Sequence, residues 1–248
     1  MAQGSDSRLM IDEDFYGAAS TLAATTAPPI ALGSLNVVGQ GIAETDSGAP
    51  RMDSDGLNGV IQLTTTNEDV HAAGLQSATM FDVGLMGSIV MEARVRQAAL
   101  NTGEVFIGFS DVNTDLAIIE GAICHGDTVT VTLTASDLVG FLMASDLTDN
   151  SDWHGVYNGG TTTGETVSTS LDFDAGATAG EYQVLRLELF PNGTAEWWVD
   201  GVLEQTVTGA VSTSVDLCLN VIVESKTTAV KTMDVDYIRV WANRDWTV

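Results

Sequence analysis

The stretch EYQVLRLELFPNGTAEWWVDGVLEQTVTG, from Glu181 to Gly209, decides the fold. Apolar and polar residues alternate along it in three runs, and this period of two is typical of β-strands with one buried face. Two turn signals, Pro191-Asn192-Gly193 and Asp200-Gly201, separate the runs, because proline fixes φ and Asn-Gly tolerates positive φ. The segment therefore predicts a three-stranded antiparallel meander.

Working outward from the meander, other short runs with the same strand character recur, and no run predicts a helix longer than two turns. The predicted strands are Ser88–Arg96, Val105–Phe109, Asp127–Ala135, Leu138–Met143, Val215–Val223 and Met233–Trp241. Leu116–Cys124 fits one short helical turn, and residues 17–34 fit a long irregular connection. We expect an all-β, two-sheet antiparallel sandwich, with residues 1–10 as an N-terminal arm and residues 11–248 as a single domain.

The charge of the chain excludes two classes of function. The 248 residues include 34 acidic and 9 basic side chains, which gives a net charge of −25. A surface this acidic repels the phosphates of nucleic acids and of anionic membranes. No apolar run approaches the roughly 20 residues of a membrane span, and the N-terminus does not resemble a signal peptide. We therefore expect folding in a cytoplasm, with Cys124 and Cys218 as buried thiols.

Five segments in order resemble the concanavalin A-like lectin and glucanase domains. IDEDFYG (Ile11–Gly17) is similar to their opening strand, and MDVDYIRVWANR (Met233–Arg244) is similar to the closing strand that pairs beside it. Between them lie SIVMEARVR, VFIGFSD and YQVLRLELFPNGTAEWWVDGVLEQT. The resemblance implies a two-sheet jelly roll with one concave face. Many proteins of this fold bind or cut glycans, but a fold does not fix a function.

The acids that the resemblance associates with hydrolysis are missing. Laminarinase-type members carry Glu-x-Asp-x-x-Glu on one strand, and two of its carboxylates cleave the glycosidic bond. Glu44-Thr-Asp46 begins this pattern, but Ala49 stands where the last glutamate should be. The strand Ser88–Arg96 contributes Glu92 alone, and Asp234 and Asp236 lie on the closing strand. We predict that the protein is not an enzyme, and a β-glucan hydrolase using Glu92 stays an alternative.

Candidate ligand-binding residues fall into two groups. Trp153, with Asn150, stands in a polar loop, and Trp198 faces the side of its strand opposite to Trp197, so either ring is a candidate platform for a sugar. Asp111, Asn113 and Asp115 supply oxygens at alternate positions, as a calcium loop requires, although a solvated loop is the simpler reading. We expect no other cofactor.

A third reading is structural. The chain resembles, by kind, the decoration proteins on tailed-phage heads, which combine such a fold with no catalytic acids and an acidic outer surface. This reading predicts a virion-surface protein, folded in a host cytoplasm, that forms an oligomer such as a trimer and binds the major capsid protein or sister subunits. The predicted contacts are Arg8, Leu9, Met10 and Trp246, and other basic residues such as Arg51, Arg94 and Arg96 are further candidates. The alternative is a carbohydrate-binding, lectin-like module of a fibre or adhesin.

The decoration hypothesis predicts that deleting residues 1–10 abolishes attachment to particles while the fold stays intact, because the arm would supply the contacts. Co-sedimentation with particles and circular dichroism measure the two effects. Attachment that survives the deletion contradicts the hypothesis.

Overall fold

The computed structural model describes residues 8–15, 30–39, 51–52, 59–115, 119–226 and 229–244. No helix in these ranges has the length and apolar character needed to cross a membrane. The strands, in chain order, are β1 Arg8–Glu13, β2 Ile30–Leu32, β3 Leu35–Val38, β4 Arg51–Met52, β5 Ile61–Thr64, β6 Ala72–Gln76, β7 Phe81–Asp82, β8 Ile89–Gln97, β9 Gly103–Ser110, β10 Cys124–Asp127, β11 Thr130–Leu133, β12 Leu138–Ala144, β13 Asp152–Asn158, β14 Asp172–Gly176, β15 Tyr182–Leu189, β16 Ala195–Val199, β17 Val202–Val207, β18 Asp216–Ser225 and β19 Thr232–Asn243. A π-helical turn spans Ile119–Ile123 and a short α-helix, α1, spans Ser168–Leu171.

The strands form two large antiparallel sheets, which confirms the predicted sandwich. Sheet A has the order β17-β16-β15-β8-β19-β5-β4, and β1 also pairs with β19. Sheet B has the order β14-β13-β12-β9-β18-β6-β3-β2, and β7 also pairs with β18. The hairpin β10–β11 forms a separate small sheet. The opening strand therefore lies beside the closing strand, as the resemblance implied.

The meander that the sequence predicts forms one edge of sheet A as β15, β16 and β17. Its turns need left-handed backbone at Gly193, Asp200 and Gly201, where φ is 78°, 49° and 83°. Glycine adopts these angles without a steric cost, and aspartate tolerates them better than most residues. The turns therefore return each strand at the position where the sequence placed them.

Two strand predictions were wrong in detail. Asp127–Ala135 is not one strand, because the chain reverses near Thr128 (φ 56°) to form the hairpin β10–β11. In β19 the register shifts between Val235 and Tyr237, so that a bulge turns Tyr237 outward and puts Ile238 into the core. Strict alternation cannot anticipate a bulge, since one extra residue reverses the faces of all that follow.

The core between the sheets is built around two tryptophans. Trp197 of β16 donates its indole N–H to the main-chain oxygen of Gly140 in β12 at 2.8 Å, and Trp153 of β13 donates to Gln183 Oε1 of β15 at 2.9 Å. Both indoles are fully buried, and each joins sheet A to sheet B. Buried indoles usually find such an acceptor because an unpaired N–H is costly in an apolar interior.

Sheet B is buried on its outer face as well. Phe106, Leu142 and Ile222 alternate with core residues and lie on this outer face, yet all three are fully buried. They are covered by a segment that we call the cap, which consists of the π turn and the hairpin β10–β11. The cap adds its own buried apolar residues, Ile119, Ile123, Cys124 and Val131. A strand that is apolar on both sides is typical of a sheet covered on both faces.

We expect Trp197→Ala to lower the free energy of unfolding by about 3–5 kcal/mol, because it removes a large buried ring and its hydrogen bond. The half-buried Trp198 is the matched control, and Trp198→Ala should cost about 1 kcal/mol. Urea denaturation of the three proteins measures the difference. Equal losses in the two variants would contradict the placement of the two rings.

Candidate functional site

A straight row of register partners crosses the outer face of sheet A. Each member lies opposite the next one on the neighbouring strand. From β1 to β16 the row runs Asp12, Arg239, Glu92, Arg186 and Trp198. Acidic and basic side chains alternate along it, which is favourable because opposite charges on facing positions of a sheet attract. The row ends on the exposed side of an indole.

Every basic residue of the row has an acidic partner. Arg239 Nε donates to Asp12 Oδ1 at 2.9 Å, and the Arg186 Nε donates to Glu188 Oε1 at 2.8 Å. Glu92 Oε2 lies 4.0 Å from Arg186 Nη1, and Glu92 Oε1 accepts the Tyr237 hydroxyl at 2.9 Å. Burial, together with this hydrogen bond to a carboxylate, raises the pKa of Tyr237 to about 12. The tyrosine is therefore a stable donor at neutral pH.

Two further arginines stack on one aromatic ring of the same face. The guanidinium carbons of Arg94 and Arg96 lie 4.0 and 4.7 Å from the ring centre of Tyr182. Arg94 also forms an ion pair with Asp236, and Arg96 forms one with Asp234 at 2.5 Å. The two acids of the closing strand, which the sequence left as solvated or edge-strand groups, thus fix arginines. Of the arginines offered as partner contacts, Arg94 and Arg96 are therefore engaged within the protein.

A pocket of about 270 Å³ opens on this face at the end of the row. We call it the outer pocket, and its lining residues are Glu92, Val184, Arg186, Glu188, Trp198 and Gly201. An indole and a valine supply apolar wall, two carboxylates supply acceptors, and one guanidinium supplies donors. Few polar groups in fixed positions beside an apolar surface are typical of a small-molecule site. Of the candidate glycan-binding residues, Trp198 alone lies here.

Trp153 and Asn150 are not at this site, and the prediction for Trp153 was wrong. Trp153 lies in strand β13 with its indole between the sheets and has no exposed surface. It cannot stack on a sugar, because its ring packs edge-on against Phe141 and its indole N–H donates to Gln183 Oε1 of the facing sheet. Asn150 donates its amide to the Ser145 main-chain oxygen at 3.3 Å, within the turn that precedes β13.

The candidate calcium residues lie in an open loop after β9 and have separate contacts. Asn113 Nδ2 donates to Thr79 Oγ1 at 2.6 Å, and the Asp115 main-chain oxygen accepts from Gly39 N at 2.9 Å. Asp111 N donates to the Asp137 main-chain oxygen at 2.9 Å. Within the described ranges, no group of three or more His, Cys, Asp or Glu side chains is placed to hold a metal ion. Calcium at Asp111, Asn113 and Asp115 stays a prediction from sequence.

The predicted partner contacts fall on β1 or beyond the described ranges. Arg8, Leu9 and Met10 pair with Asn243, Ala242 and Trp241 of β19, and Met10 is 67% exposed. Trp246 and residues 1–7 lie outside the described residues. Deleting residues 1–10 would remove three of the six residues of β1, so deletion of residues 1–7 is the cleaner test of attachment.

Sequence reasoning missed a pair of buried carboxylates. Glu104 of β9 and Glu224 of β18 are register partners on the outer face of sheet B, directly under the cap, and neither has any exposed surface. Opposite partners in an antiparallel pair have Cβ atoms about 4.5–5.5 Å apart. The signal in the sequence was a single acid in an otherwise apolar strand, in GEVFIGF and in NVIVES.

These carboxylates fasten the cap to sheet B. Glu224 Oε2 accepts the main-chain N–H of Ile119 at 2.5 Å, and Glu120 N donates to its Oε1 at 3.2 Å. Glu104 Oε1 lies 2.8 Å from His125 Nδ1 and accepts the N–H of Gly126 at 3.2 Å. Main-chain donors of the π turn and of β10 are satisfied in this way. A buried helical turn without such acceptors would carry a desolvation cost.

Lys226, His125 and two further acids complete the cluster. Lys226 Nζ lies 2.5 Å from Glu120 Oε2, 3.6 Å from Asp146 Oδ2 and 3.5 Å from His125 Nδ1. Burial raises the pKa of Glu224 to about 8, and the charge of Glu104 adds to the shift. Burial also raises the pKa of Glu104, and the hydrogen bond to Glu104 raises the pKa of His125. At neutral pH Glu224 therefore keeps its proton. The pair, as placed, meets no substrate, because the cap covers it.

No protein-family model and no curated protein matches the chain. Solved structures do. Peanut lectin matches with a TM-score of 0.57 at 12% identity over 95% of this chain and 97% of its own. The carbohydrate recognition domain of Emp46p matches with a TM-score of 0.55 at 11% identity over 92% of this chain and 100% of its own. A carbohydrate esterase from the Shiga toxin-encoding bacteriophage phi24B matches with a TM-score of 0.50 at 16% identity over 85% and 90% of the two chains.

The fold is a concanavalin A-like jelly roll. The architecture that the five sequence segments implied is thus confirmed, including the pairing of the opening and closing strands. At these identities the likeness establishes the jelly roll alone, because proteins that share a fold host many unrelated functions.

The raised pKa of Glu224 makes the folded protein less stable at alkaline pH than at acidic pH. An acid whose pKa is higher in the folded than in the unfolded protein favours folding most when the pH is below the unfolded value of about 4.5. The advantage is lost as the pH rises toward about 8, since the folded protein then holds a proton that the unfolded chain has released.

We therefore expect Glu224→Gln, which cannot ionise but keeps an oxygen acceptor, to be more stable than the wild type at pH 9 by about 2–4 kcal/mol. At pH 4 the two should differ little. Urea denaturation at several pH values measures this. Glu181→Gln changes the same charge at an exposed position and should not flatten the pH dependence. The same slope in both variants would contradict the assignment.

Proposed function

We propose that this jelly roll is a non-enzymatic carbohydrate-binding module that binds a glycan in the outer pocket of sheet A. The observation that carries the proposal is the ring of Trp198 beside two carboxylates and a guanidinium, in a pocket of about 270 Å³. Trp198 was a candidate glycan-binding residue from the sequence.

The chemistry of the pocket suits a sugar ring. A sugar presents C–H groups on its faces, which pack on the indole and on Val184. Its rim carries hydroxyl groups, which donate to Glu92 and Glu188 and accept from Arg186. These polar side chains lie on β8 and β15 and contact one another or Tyr237, so they hold their positions before a ligand arrives. Groups ordered in advance reduce the entropy cost of binding.

The position of the pocket also supports the proposal. The cap covers the outer face of the central strands β9, β12 and β18 of sheet B, whereas the outer face of sheet A carries the pocket. Two of the similar structures are described as a lectin and as a carbohydrate recognition domain. We infer from the chemistry of the pocket that this chain shares carbohydrate binding with them.

Trp198→Ala should reduce glycan affinity at least tenfold, because loss of the ring removes the apolar platform. A glycan array followed by titration calorimetry measures the loss. Tyr182→Ala is the matched control, since Tyr182 is an aromatic residue of the same face outside the pocket. An array without any hit, or equal losses in the two variants, would sink the proposal.

A hydrolase would have to use the same carboxylates, and their contacts favour a binding role. Cleavage of a glycosidic bond needs one free carboxylic acid as proton donor and a second carboxylate. Glu188 Oε1 accepts from Arg186 and Glu92 Oε1 accepts from Tyr237, so each carboxylate is held as an acceptor and neither is placed as a proton donor. The enzyme alternative requires release of reducing sugar from β-glucans that Glu92→Gln abolishes. Turnover of this kind would replace the non-enzymatic part of the proposal.

Capsid decoration stays a prediction from sequence. One similar structure comes from a bacteriophage, but it is described as a carbohydrate esterase and is similar in fold alone. No contact among the described residues identifies a capsid protein or a sister subunit as partner. Attachment of the intact protein to particles, lost on deletion of residues 1–7, would favour decoration over carbohydrate binding.

A further inference from the structure

We propose that the outer pocket selects uncharged glycans and rejects acidic ones, an inference that rests on the proposed function. The selection would come from Arg186, which is the one cation in the pocket lining and is held by two carboxylates of the same pocket.

Arg186 is already engaged by the carboxylates beside it. Its Nε and Nη2 both donate to Glu188 Oε1, and its Nη1 faces Glu92 Oε2. Recognition of a sugar carboxylate or sulfate by arginine uses two parallel N–H groups of this fork. The Nε–Nη2 edge already binds Glu188, so an acidic sugar that used this edge would have to displace a side chain that is only 18% exposed. A sugar anion that approached the Nη1 side would instead face the carboxylate of Glu92.

The net charge of the pocket lining is also unfavourable for an acidic sugar. One guanidinium against two carboxylates leaves the pocket lining with a net charge of −1 when all three are ionised. The protein around it carries a net charge of −25. Like charges facing one another lower both affinity and association rate, so a polymer of uronate, sialate or sulfated residues is repelled before it reaches the pocket.

The carboxylates of the outer pocket suit the hydroxyl groups of an uncharged sugar. Carboxylate oxygens accept hydrogen bonds from hydroxyl groups, and every uncharged hexose supplies several. The net charge of −1 and the indole face of Trp198 do not repel a positive charge, so the lining discriminates against acidic sugars and not against amino sugars. The combination fits a neutral sugar ring and excludes an anionic one.

The test is a glycan array that contains matched neutral, acidic and amino-sugar oligosaccharides, followed by titration of the best ligand of each class. We expect binding of neutral glycans to be at least about tenfold tighter than binding of acidic glycans, and amino-sugar glycans should show no such penalty. Neutral-glycan affinity should not change with salt. Any residual binding of acidic glycans should strengthen as the Debye length falls from about 30 Å at 0.01 M to about 3 Å at 1 M.

Glu188→Gln is the decisive variant. It removes the negative charge of Glu188, which binds Arg186, and should raise the affinity for acidic glycans about five- to tenfold. Glu196→Gln is the matched control, because Glu196 lies opposite Glu188 on β16, outside the outer pocket, and its replacement changes the net charge by the same amount. It should leave the class preference unchanged.

The outcomes separate the two proposals. Preference for acidic glycans in the wild-type protein, or a penalty for amino sugars as large as that for acidic glycans, overturns the selection by charge and leaves carbohydrate binding in place. Equal gains in acidic-glycan affinity for Glu188→Gln and Glu196→Gln also overturn it, because the gain would then come from net charge. Absence of any glycan binding overturns the proposed function, and the inference with it.

Discussion

The requirement that both faces of sheet B be buried governs the architecture. Strands β9, β12 and β18 carry apolar side chains on both faces, so water must be kept from the two sides at once. Sheet A covers one side and the cap covers the other. The meander of sheet A needs no such cover, because polar residues alternate with apolar ones along β15 and β16. An accessible site of the sandwich is therefore built from the charged and aromatic residues of sheet A.

The cap covers buried polar groups as well as the apolar outer face of sheet B. Glu104 and Glu224 accept main-chain donors of the cap. Lys226 forms an ion pair with Glu120 and contacts His125, the partner of Glu104. Burying carboxylates costs free energy, and protonation of one member lowers that cost because it removes a charge. The benefit is geometric, since hydrogen bonds from a π turn to fixed side chains specify where the cap lies. The cluster therefore fixes the position of the cap, and as a consequence the stability of the folded protein depends on pH.

Although the net charge is −25, most of the few basic side chains are already engaged within the protein. Both lysines are buried, and Arg94, Arg96, Arg186 and Arg239 on the outer face of sheet A are paired with acids of the same face. Few bases are left to meet an acidic partner. The expectation that Arg94 and Arg96 would meet a partner did not consider Asp234 and Asp236, which contact them only after the strands pair. The same pairing leaves Arg186 neutralised in the outer pocket.

Alternation and turn residues act locally, so the sequence alone predicted the all-β class and the meander, and it placed Trp198 on the face opposite to Trp197. The pairing of the first strand with the last was implied by the resemblance to concanavalin A-like domains and not by a local pattern. Which sheet each other strand joins, and which residues meet across it, depended on the tertiary structure. Trp153 reads as a loop residue until β13 joins sheet B, and Glu104 and Glu224 are 120 residues apart until β9 and β18 pair. Contacts between distant strands depend on register, and no local pattern in the chain encodes register between distant strands.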